Sequence, residues 1–304
     1  MPLVSAASSR YDPAMSAVAV ALVLLSAVFH ATWNTLTKRS ADALAFMFVF
    51  GLIGLAIYAP AMALMLARHG LPADGVPFIL ASGGVHVVYA SALAAAYRNG
   101  ALSLTYPVAR GTGVVLVPIL AMPFLGERPT AVAGAGIVAI LVGIVTLNLL
   151  GNRRGAAREV REGRRGLLFA LLTGLAITAY SLIDKAGVAH VHPLIYVYLL
   201  IGILTAGIAP WVLLRRRAAA LEVWRTSRRS AFIAGVLNMG TYLIVLAAMR
   251  VAGSSVSYIV PLRETSIVFA TLMGVAILGE RLTPPRLAGS ILIAAGVIAI
   301  ALGG

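Results

Sequence analysis

Arg110 and Arg263 each fall near the middle of a long apolar run, residues 101–124 and 253–278. A guanidinium at the centre of a bilayer costs about 2.5–3.5 kcal/mol on insertion scales, so one that persists there is functional by default. Its planar fork grips carboxylate, phosphate or phosphonate through two parallel N–H bonds. Proline and glycine frame both arginines, in Tyr106-Pro107-Val108-Ala109-Arg110-Gly111-Thr112-Gly113 and Tyr258-Ile259-Val260-Pro261-Leu262-Arg263-Glu264-Thr265. They loosen the helix and free carbonyls that a cavity can use. Two arginines against Glu264 leave such a cavity net positive, which suits an anionic or zwitterionic solute. The structural alternative binds one arginine to Glu264 or to carbonyls between helices. Glu264 is also a candidate coupling carboxylate. Neighbours on a helix diverge by about 100°, so Glu264 and Arg263 cannot both face one point.

Polar residues recur at three- and four-residue steps, which places them on single helix stripes. His30, Trp33, Asn34 and Thr37 form one stripe, and Tyr180, Ser181 and Asp184 another. His86 pairs with Tyr89, and Asn238 with Thr241 and Tyr242. A polar stripe in otherwise lipid-compatible sequence points inward, to line a cavity or to join helices. His30 and His86 suit interhelical hydrogen bonding or a proton relay. With no cysteine and no carboxylate at ligand spacing they make a poor metal site, and neither metal nor cofactor is expected. Tyr106 and Tyr258 flank the two arginine segments and complete the candidate substrate contacts.

The elements that must hold these residues are membrane helices. The chain has 304 residues, 61% hydrophobic and 11% charged, with mean hydropathy +0.97; an average soluble domain carries about twice that charged share. Ten runs approach or exceed the ~20 residues needed to cross a bilayer as a helix: residues 15–37, 43–66, 76–97, 101–124, 131–150, 166–183, 193–214, 230–249, 253–278 and 285–303. They lack the alternation of barrel strands. Residues 1–14 form a polar tail without the marks of a cleavable signal. The net charge of +14 does not point to nucleic acid, because the basic residues sit between spans. Seventeen of the 24 Lys and Arg lie on one side, mostly in the two long basic loops, and five on the other. Positive charge is retained in the cytoplasm, so both termini are expected on the periplasmic side of a bacterial inner membrane.

The chain repeats itself. Leu24 to Lys38 lies over Leu171 to Lys185, and Gly126-Glu127-Arg128 matches Gly279-Glu280-Arg281. At the second offset Tyr89 meets Tyr242, Gly100 meets Gly253 and Arg110 meets Arg263, while Gly136 meets Gly289 and Gly143 meets Gly296. Five spans per half is an odd number, so the halves, 15–150 and 166–304, are expected to be inverted relative to one another, joined by the basic linker 151–165. Inverted repeats are typical of secondary transporters, whose site lies near the midplane between the repeats. The glycine stripes Gly136/Gly143 and Gly289/Gly296 serve close helix packing or a homodimer face. Glu127 and Glu280 are expected to cap loops or pair with Arg128 and Arg281.

The Trp33-Asn34-x-x-x-Lys38 end of the first span, the paired Gly-Glu-Arg turns and the duplicated layout resemble the drug/metabolite transporter superfamily, in its ten-helix EamA-type branch. The resemblance covers nearly the whole chain. It implies an all-α bundle of ten transmembrane helices, two inverted five-helix repeats around a central cavity lined by the early helices of each half. It also implies a permease for amino acids, sugars, nucleotide conjugates or drugs rather than an enzyme. Small multidrug-resistance relatives bind cationic drugs through a glutamate in the first span; this chain has none there. The Tyr-Pro-x-Ala-Arg-Gly-Thr-Gly string resembles a sub-branch of which some members accompany phosphonate utilisation. The expected activity is therefore secondary transport, with export the expected direction, of an amino-acid-like, organic-acid or phosphonate solute. No Gly-rich phosphate loop supports ATP-driven transport. A lipid-acting membrane enzyme, a flippase for lipid-linked groups or an accessory subunit are the alternatives. Asp42, Asp74 and Asp184 are too scattered to favour the enzyme.

Overall fold

The computed structural model of the protein describes residues 16–99, 102–149, 164–251, 254–278 and 283–303. Gly100, Gly253, the Gly279-Glu280-Arg281 turn, the tail 1–14 and most of the linker 151–165 lie outside them. The described chain is helical: α1 Ala17–Arg39, α2 Ala43–His69, α3 Val76–Asn99, α4 Leu102–Leu125, α5 Ala131–Leu149 and α6 Arg164–Gly187. Then come α7 Pro193–Arg215, α8 Arg217–Thr226, α9 Arg228–Arg250, α10 Val256–Arg263, α11 Thr265–Leu278 and α12 Pro284–Gly303. Among the described residues, nine spans are long and apolar enough to cross a bilayer, with α10 and α11 forming one of them. The apolar stretch of α5, Ala131–Thr146, is shorter. Side chains such as Leu52, Leu80, Ile119, Phe124, Leu272 and Ile298 stand exposed around the bundle. A soluble protein does not tolerate so much outward apolar surface, whereas lipid does.

Local signals set the helix ends. The Asp42 carboxylate accepts from Ala45 N at 3.0 Å and starts α2. Pro193 opens α7, where its missing N–H costs nothing. Gly126, at φ +69°, ends α4 in the left-handed region that glycine tolerates. Its N–H closes on Met122 O at 3.1 Å, and Glu127 leaves the helix beside it.

Three expectations change. The sixth span does not stop at residue 183, because α6 extends through Asp184 and Lys185, whose polar atoms find partners inside the bundle. The ninth span is not one helix. Pro261 supplies no N–H, and Glu264 N bonds Pro261 O at 3.0 Å in a tighter turn that separates α10 from α11. The basic loop between α7 and α9 is itself helical, as α8, and buries Val223.

The helices pair across the halves: α3 packs on α6 and α1 on α9, α4 on α6 and α1 on α10 and α11, α3 on α7 and α2 on α9. Each of these contacts has its counterpart with the halves exchanged. The glycine stripes meet each other. A Cβ on Gly136 would lie 2.7 Å from Gly296 O, and one on Gly143 2.7 Å from Gly289 O. That register makes α5 and α12 antiparallel and brings their backbones into contact. The stripes are therefore consumed inside one chain, so the homodimer face expected through them is withdrawn.

Candidate functional site

A cavity of about 100 Å³ lies among the first four spans of each half, between α1, α2, α3, α4, α6, α7, α9 and α10. That is several times what a single water needs. Helices α5 and α12 brace the bundle outside it. His30, Trp33 and Asn34 come from α1, His86 and Tyr89 from α3, and Tyr106 and Arg110 from α4. Tyr180 comes from α6, Asn238 and Tyr242 from α9, and Arg263 from α10. Tyr258 is the exception: it is buried elsewhere, and its hydroxyl accepts from Thr130 N at 3.1 Å at the start of α5. The residues of α10 that precede Arg263 are turned into the bundle, which takes Tyr258 with them.

The arginines part company. Arg110, 8% exposed, donates from Nε to Glu264 Oε2 at 3.0 Å, and Glu264 is 3% exposed. Its Nη2 lies 3.5 Å from His30 Nε2, and its guanidinium sits 5.9 Å from the Tyr106 ring centroid. Arg263 stands over the Tyr242 ring at 6.0 Å, within cation–π range. Among the described residues no carboxylate lies within salt-bridge distance of it. Trp33 also lines this space, and its buried Nε1–H finds no acceptor among the described residues. Arg263 thus brings a donor group to the cavity wall, and donors recruit acceptors: a carboxylate, a phosphonate or a comparable oxygen-rich group.

Below the cavity wall lies a polar cluster around Asp184, which is 1% exposed. Its Oδ1 accepts from Ser82 Oγ at 2.5 Å and from the Tyr196 hydroxyl at 2.9 Å. Its Oδ2 accepts from the Tyr242 hydroxyl, which also lies 3.1 Å from His86 Nε2. His86 Nδ1 reaches the Ser82 carbonyl at 2.8 Å, and the Tyr180 ring stacks on His86 at 4.1 Å.

Two charged groups set the half-helix that carries Arg263. Glu127 accepts from Val256 N at 2.8 Å, Ser257 N at 2.9 Å and the hydroxyls of Ser255 and Ser257, both at 2.5 Å. It caps the N-terminus of α10, where orphan N–H groups favour a negative charge. The capping expectation thus holds, across the halves, and the Arg128 alternative does not. Lys185 Nζ donates to Met249 O at 2.6 Å and Ser254 O at 2.7 Å, satisfying carbonyls between α9 and α10.

Ser82 and Tyr196 were not legible as site residues, since a lone serine or tyrosine in an apolar run carries no signal. The period-four relation of Ser82 to His86 is the one cue that could have found the serine. Nor did the apolar side of the wall, Met47, Phe50, Ile177 and Ile208, differ in sequence from ordinary lipid-facing or core positions.

Residues 164–302 match the model of the EamA-like transporter family. No curated protein matches the chain. One solved crystal structure aligns over 93% of this chain and 97% of its own, at 19% identity and a TM-score of 0.64. That likeness concerns the fold alone. The second half of the chain, residues 164–302, is thus similar to EamA-like transporters, and the described residues include nine spans long and apolar enough to cross a membrane.

Proposed function

We propose that this protein is a transporter that carries a small anionic or zwitterionic metabolite, amino-acid-like, organic-acid or phosphonate, outward across the bacterial inner membrane by alternating access. Arg263 carries the reading: it is a cavity-wall cation without a carboxylate partner among the described residues, with Trp33 lining the same space. Arg110 is the lesser contact, since Glu264 already holds its Nε and leaves only its outer nitrogens for solute. The antiparallel meeting of α5 and α12 and the exchanged helix contacts support two inverted halves that rock about the cavity. The charge split supports periplasmic termini.

Purified protein in liposomes tests the substrate reading, with counterflow of radiolabelled amino acids, dicarboxylates and methylphosphonate. The expected result is exchange of at least one of these anionic or zwitterionic probes. Arg263→Lys should keep part of it and Arg263→Gln should weaken binding roughly ten- to hundred-fold, the worth of a lost charged hydrogen bond. Wild-type affinity in folded Arg263→Gln would refute the clamp.

A further inference from the structure

The cluster beneath the cavity does not balance its hydrogens. His86 Nδ1 faces a backbone carbonyl at 2.8 Å, which can only accept, so Nδ1 carries the hydrogen. In a neutral imidazole, Nε2 is then an acceptor. The Tyr242 hydroxyl has one hydrogen and two neighbours that want it, Asp184 Oδ2 and His86 Nε2 at 3.1 Å. Ser82 and Tyr196 spend their hydrogens on Oδ1. With Asp184 ionised and His86 neutral, one of the two Tyr242 contacts cannot be a hydrogen bond. One added proton makes both of them bonds. It either sits on His86 Nε2, which then donates to Tyr242 while Tyr242 donates to Asp184, or on Asp184 Oδ2, which donates to Tyr242 while Tyr242 donates to His86. The two arrangements interconvert as the proton passes through the tyrosine oxygen, with no group left over.

We propose that Asp184, Tyr242 and His86 form a proton-binding site that loads and releases one proton per transport cycle, reached from the cavity through His86 and Tyr242. Both residues line the cavity, whereas Asp184 is sealed behind them. The groups facing the site are Tyr89 from α3, Tyr180 from α6, Tyr196 from α7 and Arg263 from α10. Lys185 is held by two carbonyls and Arg110, from α4, by Glu264, so neither donates to Asp184. Arg263 sits against the Tyr242 ring, so an anion bound there would be felt at the proton site. The place in a cycle rests on the transport reading above; the proton site itself stands on the hydrogen count.

The test needs no substrate. Protein carrying [15N]histidine is reconstituted in nanodiscs and titrated by NMR from about pH 5 to about pH 9, the range in which histidine charge changes. The His86 signal is the one of five histidine signals lost in His86→Gln. Its Nε2 shift should change within that range, as that nitrogen gains either the proton itself or the Tyr242 hydrogen bond. In Asp184→Asn and in Tyr242→Phe its midpoint should move by at least about one pH unit, the scale of a contacting charge or hydrogen bond. Tyr242→Phe keeps the ring and reports even where Asp184→Asn does not fold. A His86 Nε2 shift that does not change anywhere in that range, or changes with the same midpoint in folded Tyr242→Phe, overturns the proposal. A silent His86 in protein that still exchanges the labelled probes would remove the proton site and leave transport standing. A titrating His86 in protein that exchanges none of them would support the site and count against the substrate reading.

Discussion

Removing Arg110 alone should unfold the bundle more readily than removing Arg110 and Glu264 together. The two side chains are 9% and 5% exposed and meet at 3.0 Å, so neither charge has water to fall back on. Taking one partner from a buried pair costs about 3–5 kcal/mol, because the other is left uncompensated. Arg110→Met strands the Glu264 carboxylate, and Glu264→Met strands a guanidinium between His30 and Tyr106. The double substitution removes both charges and should return to within about 1 kcal/mol of wild type, leaving a coupling energy of about 5 kcal/mol or more. Arg263→Gln is the control. With no carboxylate to strand, it should cost no more than about 1 kcal/mol, the centre of the range for single substitutions. Unfolding by SDS titration, followed by the fluorescence of the three tryptophans, measures each variant. A double mutant whose loss equals the sum of the singles would refute the pairing.

Other consequences follow from contacts already described. Gly296→Leu places a Cβ 2.4 Å from Gly136 O, where backbone cannot yield, and should destabilise by more than the ~1–3 kcal/mol of ordinary overpacking, read by the same titration. Glu127→Ala removes four acceptor contacts from the start of α10 and should lower both thermal stability and probe affinity, since Arg263 rides on that helix. Burial, reinforced by His69 and Arg250, pushes the His192 imidazole down from its usual range, while its Nδ1 accepts from Leu194 N at the start of α7. The unfolded chain therefore takes up this proton first. The stability His192 contributes is present above its unfolded value of about 6.5 and is lost as pH falls below it. Melting temperature should drop between about pH 7 and about pH 5.5, and His192→Asn, which can still cap, should flatten that slope; an unchanged slope would contradict it.

Much of this molecule is written in one dimension. Hydropathy alone specifies a helical membrane bundle, because a lipid-facing backbone must satisfy itself within each segment. Matched Arg110 and Arg263, Tyr89 and Tyr242, and the glycine stripes announce two related halves, and three- and four-residue spacing put His30, Trp33, Asn34 and His86 on faces that do meet at the cavity. Spacing settles which face of one helix a residue occupies; it says nothing about what lies opposite. Only packing decided that Glu264 closes on Arg110 and not on its neighbour Arg263, a choice the ~100° step along the helix permits but does not make. Packing likewise turned Tyr258 away, spent the glycine stripes on each other, and gathered Ser82, His86, Asp184, Tyr196 and Tyr242 from four helices. A buried polar atom must find its partner wherever the fold has put one, and within this cluster that partner lies up to 156 residues away along the chain.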